Sequence, residues 1–170
     1  MHYREVTPTA EYVARLEPGA DWRAEIEALA DAVAADAAWF TALGAVQDAE
    51  LWFYDQDELA YEPVTFEEEL EVAACVGNVS WLDVSESDSE DGETGSRQWE
   101  RFAHTHAVLS RPDGGSLAGH LHAATVFAGE VHLRAFEEEL VREHDDRTDL
   151  DLWGGFAHDT KTTTTEDRDD

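Results

Sequence analysis

The sequence predicts an α+β domain, a mostly antiparallel sheet with one main helix over about residues 21–35 packed on it. Three observations lead there. Only one stretch carries apolar residues at sustained helical spacing: Trp22, Ile26, Leu29, Ala30 and Val33, behind a capping Asp21. Most of the rest breaks into about seven or eight short apolar or alternating runs divided by Gly, Pro, Asp and Asn turns. Strand–helix–strand alternation occurs only once, near the N-terminus, and no phosphate-binding glycine loop accompanies it, which excludes a doubly wound nucleotide fold.

The elements follow in chain order. In "AEYVARLEPGADW", Tyr12, Ala14 and Leu16 alternate with Val13 and Arg15 as in a strand, and Pro18-Gly19 turns the chain into the helix. "AAWFTALGAV" reads as a buried strand. "AELWFYD" and "LAYEPVTF", joined by the polar "QDE", read as a hairpin. "EEELEVAACVGNVSWLDV" supplies one or two strands, with Gly77-Asn78 expected as a bulge or turn. The segment 85–96, "SESDSEDGETGS", has no apolar residue and is expected to be an acidic mobile loop. "RFAHTHAVLS", "SLAGHLHAATVF" and "GEVHLRAFEEEL" resume the sheet. The expected organisation is a domain over 8–140, a docking segment over 141–156 anchored by Trp153 and Phe156, and a disordered tail over 157–170.

Charge narrows the function classes. Forty acids face eleven bases for a net charge of −29, and Lys161 is the only lysine. Such self-repulsion is costly in dilute buffer but largely screened in molar salt, where the Debye length is about 3 Å. The composition is therefore read as halophilic. No apolar run is long enough for a membrane helix, and the N-terminus has no basic-then-apolar leader pattern, so a cytoplasmic protein is expected. The single cysteine, Cys75, sits in an apolar run and reads as a buried, inert thiol. No serine or cysteine stands at a recognisable nucleophile elbow. With so many acids, paired carboxylates carry no information. Trp39, Phe40, Trp52, Phe53, Tyr54 and Trp81 are read as packing residues, because no basic groove accompanies them.

The pattern that carries chemistry is two His-x-His pairs, His104/His106 and His120/His122, on either side of "RPDGG". On a strand, residues two apart share a face with α-carbons ~6.6 Å apart, so two imidazoles can converge on one ion. If the loop is the five residues 111–115, His106 lies opposite His120, and all four rings share a face. If only Asp113-Gly114 form the turn, the pairs lie on opposite faces. Structural histidines that merely hydrogen-bond or line an interface remain an alternative. A cupin would place a glutamate where Ser110 stands, and a histidine-triad hydrolase would need a histidine at Ala124. His132 alternates with Glu130 and Arg134 and is read as an ion-pair or interface residue.

The order of these signals resembles the PPC domain, the plants-and-prokaryotes-conserved family, over about residues 8–140. Four features carry the resemblance: "LEPG" before the helix, "LGAV" feeding a strand with "YD", Glu71 followed by Gly77-Asn78, and His-x-His followed by Gly-His-Leu. The resemblance implies an α+β fold assembled as a homotrimer and a DNA-associated, transcription-regulatory role. This chain has no AT-hook, carries Ala118-Gly119-His120-Leu121 where the family has Gly-Gly-His-Leu, and adds the acidic 85–96 segment. The charge and the missing hook argue against strong direct contact with DNA, so a protein partner is expected instead.

The family motif also selects the metal ligands: His104, His106 and His120, with His122 in reserve. Glu71 and Glu130 are expected to orient the ligating rings from behind. Three neutral histidines would hold zinc or another divalent metal and leave a position open. The alternative function is thus a metal-binding protein or enzyme acting on a small molecule. No organic cofactor is expected.

Overall fold

The computed structural model describes residues 2–84 and 98–156. The segments expected as a mobile loop and a disordered tail lie outside the described residues. The elements are β1 (Pro8–Leu16), α1 (Trp22–Ala32), β2 (Ala37–Val46), β3 (Ala49–Asp55), β4 (Ala60–Phe66), β5 (Leu70–Asp83), β6 (Trp99–Ser110), β7 (Ser116–Ala123), β8 (Val126–Phe136), β9 (Arg142–Asp145) and β10 (Leu150–Trp153). The first eight strands form one sheet in the order β1-β8-β2-β5-β6-β7-β3-β4, and β9 and β10 form a separate hairpin. Among the described residues every strand-to-strand ladder is antiparallel, and a single parallel bridge joins Trp81 to Val141. The mostly antiparallel α+β fold is therefore as the sequence predicts.

The helix starts where its cap says it should. Asp21 keeps an extended backbone, and its Oδ1 accepts from Arg23 N (3.0 Å) and Ala24 N (2.9 Å). Its Oδ2 accepts from Ala124 N (3.2 Å), which ties the helix start to the β7–β8 junction. The helix ends at Ala32, three residues short of the expected Ala35. The cause is a Schellman closure in which Ala34 takes a left-handed φ of 52°, Ala34 N donates to Asp31 O, and Ala35 N donates to Ala30 O. A residue with a β-carbon is disfavoured there. Ala34→Gly should raise stability by about 1 kcal/mol, read as a higher urea midpoint at unchanged m-value.

Alternation sorts the sheet into two faces. One face packs Phe40, Val79, Leu109, Leu121 and Leu133 against Trp22, Ile26 and Ala30 of α1. The opposite face carries a row of directly paired residues across all eight strands: Val13, His132, Thr41, Val76, His106, His120, Trp52 and Pro63. At one end this face is covered by the β9–β10 hairpin. Arg142 of β9 is hydrogen-bonded to Ser80 and Asn78 of β5, and Trp153 of β10 sets its ring edge-on to Trp39 at 6.5 Å. This hairpin falls within the 141–156 segment expected to dock.

Residues 70–83 form one continuous strand, and Gly77-Asn78 is neither a bulge nor a turn. Gly77 pairs with Phe40 on one side and Thr105 on the other. The irregularity lies instead between Val72 and Ala74. Gly77 is there for close approach: a β-carbon on it would stand 2.3 Å from the Phe40 ring and 2.3 Å from the His104 carbonyl oxygen.

Candidate metal centre

The β6–β7 hairpin decides the face question. Pairing runs from Ser110 opposite Ser116 to His106 opposite His120, so the loop is the five residues 111–115. Arg111 N donates to Gly115 O (2.8 Å), and Gly114 turns the chain with a φ of 84°. An odd loop places His104, His106 and His120 on the same face.

Their imidazoles converge. The potential ligand atoms of His104, His106 and His120 lie within 4.8 Å of one another, and the ring centroids are 5.1–5.5 Å apart. Zinc–nitrogen bonds of about 2.0–2.1 Å put tetrahedral ligands about 3.3 Å apart, a closure within reach of side-chain rotation. His120 Nδ1 is buried without a hydrogen-bond partner, an orphaned polar atom of the sort that ligation resolves. The residues therefore fit a divalent, nitrogen-preferring ion.

Burial also puts the rings in the ligating state. It is the main force driving the His120 pKa down to about 3, helped by His104, Arg23, His106 and His122. Burial likewise drives His104 down to about 4, with Arg142, His106 and Arg23 adding to it. His106 shifts the same way for the same cause. Neutral imidazole is the form that binds metal, and protons compete for it weakly here. In the unfolded chain these rings titrate near 6.5. Below that pH the unfolded state gains protons that the folded state does not, so the metal-free protein should lose stability as pH falls from about 6.5 toward 4 and 3. Urea midpoints measured from pH 7 to 5 should fall in the wild type, with a shallower fall in His120→Asn.

His122 does not join the three. Its ring is stacked on Trp52 with centroids 3.8 Å apart and planes 9° from parallel. The strands part here because Arg23 of α1 enters between them: Nε donates to the Ala103 carbonyl (3.0 Å) and Nη1 to the His122 carbonyl (3.1 Å). Neither expected supporting carboxylate is near within the chain. Glu130 is on β8, separated from β6 by β2 and β5, about 14 Å at ordinary strand spacing. Glu71 pairs with Ser110, four residues along β6 from His106, which is about 13 Å. His132 lies 3.2 Å from the Glu11 carboxylate, which Arg134 also engages. The Cys75 thiol is pushed up to about 12 by burial, which leaves it unreactive.

Two arginines at the site were not singled out from the sequence. Arg23 and Arg142 sit over the Phe102 ring at 4.8 and 4.9 Å from its centroid. Arg142 is buried, and its pKa is lowered to about 10, chiefly by that burial. With Trp52, Tyr61, His104, His120 and His122 they line a cavity of about 350 Å³. The sequence offers two hints, a helix-first-turn arginine with Glu27 four residues on, and an arginine near the start of the acid-rich 141–156 segment.

The Plants and Prokaryotes Conserved (PCC) domain profile matches residues 3–137. The chain belongs to this family. Among solved structures, the PCC chain is similar to a metal-containing protein from Archaeoglobus fulgidus, at 32% identity and a TM-score of 0.78, covering 91% of this chain and 100% of that one. A plant- and prokaryote-conserved protein from Pyrococcus horikoshii shares the fold at 21% identity and a TM-score of 0.76, covering 93% and 100% of the two chains. So does a candidate DNA-binding protein from Bacteroides thetaiotaomicron, at 22% identity and a TM-score of 0.70, covering 88% and 96%. No curated protein matches the chain. Among the described residues, no helix of this PCC protein is long and apolar enough to cross a membrane.

Proposed function

We propose that this PCC protein is a metal-binding protein whose centre is His104, His106 and His120 and whose physiological ligand or substrate is a small molecule. The observation that carries the reading is the convergence of three neutral imidazoles, one with an orphaned buried nitrogen, beside a cavity. The likeness to a metal-containing protein at 32% identity supports it. A bound divalent ion would act there as a Lewis acid with a position open to water or ligand. The chain's own part is to keep the imidazoles neutral and to wall the cavity with Trp52, Tyr61 and Phe102. Elemental analysis of untagged protein purified in molar salt tests this. About one zinc or similar ion per chain is expected, and none in the combined His104→Ala, His106→Ala, His120→Ala variant. No metal in the wild type even after added zinc would remove the reading.

The proposal includes assembly as a homotrimer through the sheet face opposite α1. Val13, Leu43, Val76 and Val108 lie exposed on it, at 85%, 56%, 41% and 40%. That much apolar surface on one sheet face is a mark of an interface. Sedimentation equilibrium in molar salt should give three times the chain mass. A regulatory role on DNA is the second reading, favoured by the candidate DNA-binding protein among the structural neighbours. With a net charge of −29 it would act through a protein partner, and duplex DNA alone should bind no tighter than about 10⁻⁴ M at 0.15 M salt.

A further inference from the structure

We propose that the cavity beside the three histidines is a carboxylate-binding site and that the Arg142 guanidinium is its anchor. The inference rests on the reading above in that it names the ligand class for the same centre, but its main support is separate from the metal.

Arg142 is 6% exposed. Its Nε donates to Ser80 Oγ (3.0 Å), its Nη1 to the Asp151 carbonyl (2.7 Å) and its Nη2 to Asn78 Oδ1 (2.8 Å). All three acceptors are neutral. In a chain with forty acids this is the unusual arrangement. The other partly buried arginines face carboxylates: Arg23 has Glu27, Arg101 has Asp31 and Asp36, and Arg111 has Glu68. Among the described residues no carboxylate comes within ion-pair distance of Arg142. Asp151 acts on it only by charge from beyond ion-pair distance, and a buried guanidinium with no directly paired carboxylate is costly. Of the five guanidinium N–H groups, three are used, which leaves one on each terminal nitrogen. Two such donors match the two oxygens of a planar carboxylate.

The surroundings define the rest of the ligand. Arg142 and His104 line the same cavity, of about 350 Å³, at the small end of ligand pockets. Phe102, Tyr61 and Trp52 give it flat apolar walls, suited to an aromatic or short unsaturated acid, and Asp149 and Asp151 also line it, so the acid is held against their charge by Arg142 and Arg23. Three neutral imidazoles would leave the double charge of a divalent ion uncancelled, and a carboxylate supplies the missing negative charge. The acidic exterior repels anions at long range. In about 1 M salt that field is screened within about 3 Å and the buried guanidinium acts at contact.

The test is calorimetric titration of the full chain with benzoate in about 1 M KCl, with and without one equivalent of zinc. Saturable benzoate binding is expected in both states, tighter with zinc. Arg142→Gln should weaken it by about thirtyfold or more, and Arg142→Lys, which keeps the charge but not the fork, by a smaller factor. Should these variants unfold, the wild-type Arg142 Nε–H resonance must still shift on benzoate addition. Benzoate binding through Arg142 in a protein that takes up no zinc would uphold the carboxylate site and discard the metal centre. Zinc uptake with no benzoate binding in either state would overturn the carboxylate site alone, as would binding unchanged in Arg142→Gln or an unmoved Arg142 resonance.

Discussion

Zinc at about a thousandfold excess over its dissociation constant should stabilise the wild-type chain by about 4 kcal/mol, through mass action on the folded state. For a domain of this size that is a rise of roughly 10 °C in the thermal midpoint. The effect comes from His104, His106 and His120, whose rings face one another only when β6 and β7 are paired in the observed register. The unfolded chain does not present the three together, so binding energy appears as folding energy. His106→Ala should abolish most of the rise. It should cost the metal-free chain little, because the His106 ring is only partly covered within the chain and makes no hydrogen bond among the described residues that the substitution would break. A zinc-dependent midpoint that survives His106→Ala would place the ion elsewhere.

Gly77→Ala is expected to destabilise the fold by about 3 kcal/mol, at the upper end of overpacking substitutions. A single methyl has nowhere to go: one side meets the Phe40 ring and the other meets the His104 backbone oxygen, each at 2.3 Å. Phe40 is 1% exposed and belongs to the core under α1, so its ring cannot simply swing away. Relief must come partly from moving β6 at His104. The substitution should therefore weaken zinc binding as well as the fold, although Gly77 touches no ion. Measuring the urea midpoint and the zinc affinity of the same variant checks both halves. A destabilised Gly77→Ala protein with wild-type zinc affinity would mean that His104 is not held by this contact.

Much of this architecture could be read from local chemistry. Asp21 announces the helix, the 3.6-residue spacing of Trp22, Ile26 and Ala30 gives its buried face, and the proline and glycines of 111–115 permit the odd loop that aligns the histidines. What could not be read depends on residues distant in sequence. The reason for Gly77 is Phe40, on a different strand. His122 carries the same spacing signal as His120, yet the Trp52 ring and the intruding Arg23 guanidinium take it out of the cluster. Strand periodicity says which face a side chain takes, not what waits on that face. Glu71 and Glu130 show the related error: a motif supplies residue types, while strand order supplies distance, and β8 proves to be three positions from β6. Arg142 was hidden for the same reason, since its three partners sit in β5 and β10.

The central claim is that His104, His106 and His120, and not His122, form one metal centre. Zinc affinity measured by chelator competition for the wild type, His120→Ala and His122→Ala is the most direct test. Loss of a ligand in His120→Ala should weaken binding by more than about a hundredfold, while His122→Ala, which removes only a ring stacked on Trp52, should stay within about tenfold of wild type. Equal losses in the two variants, or none in His120→Ala, would contradict the account.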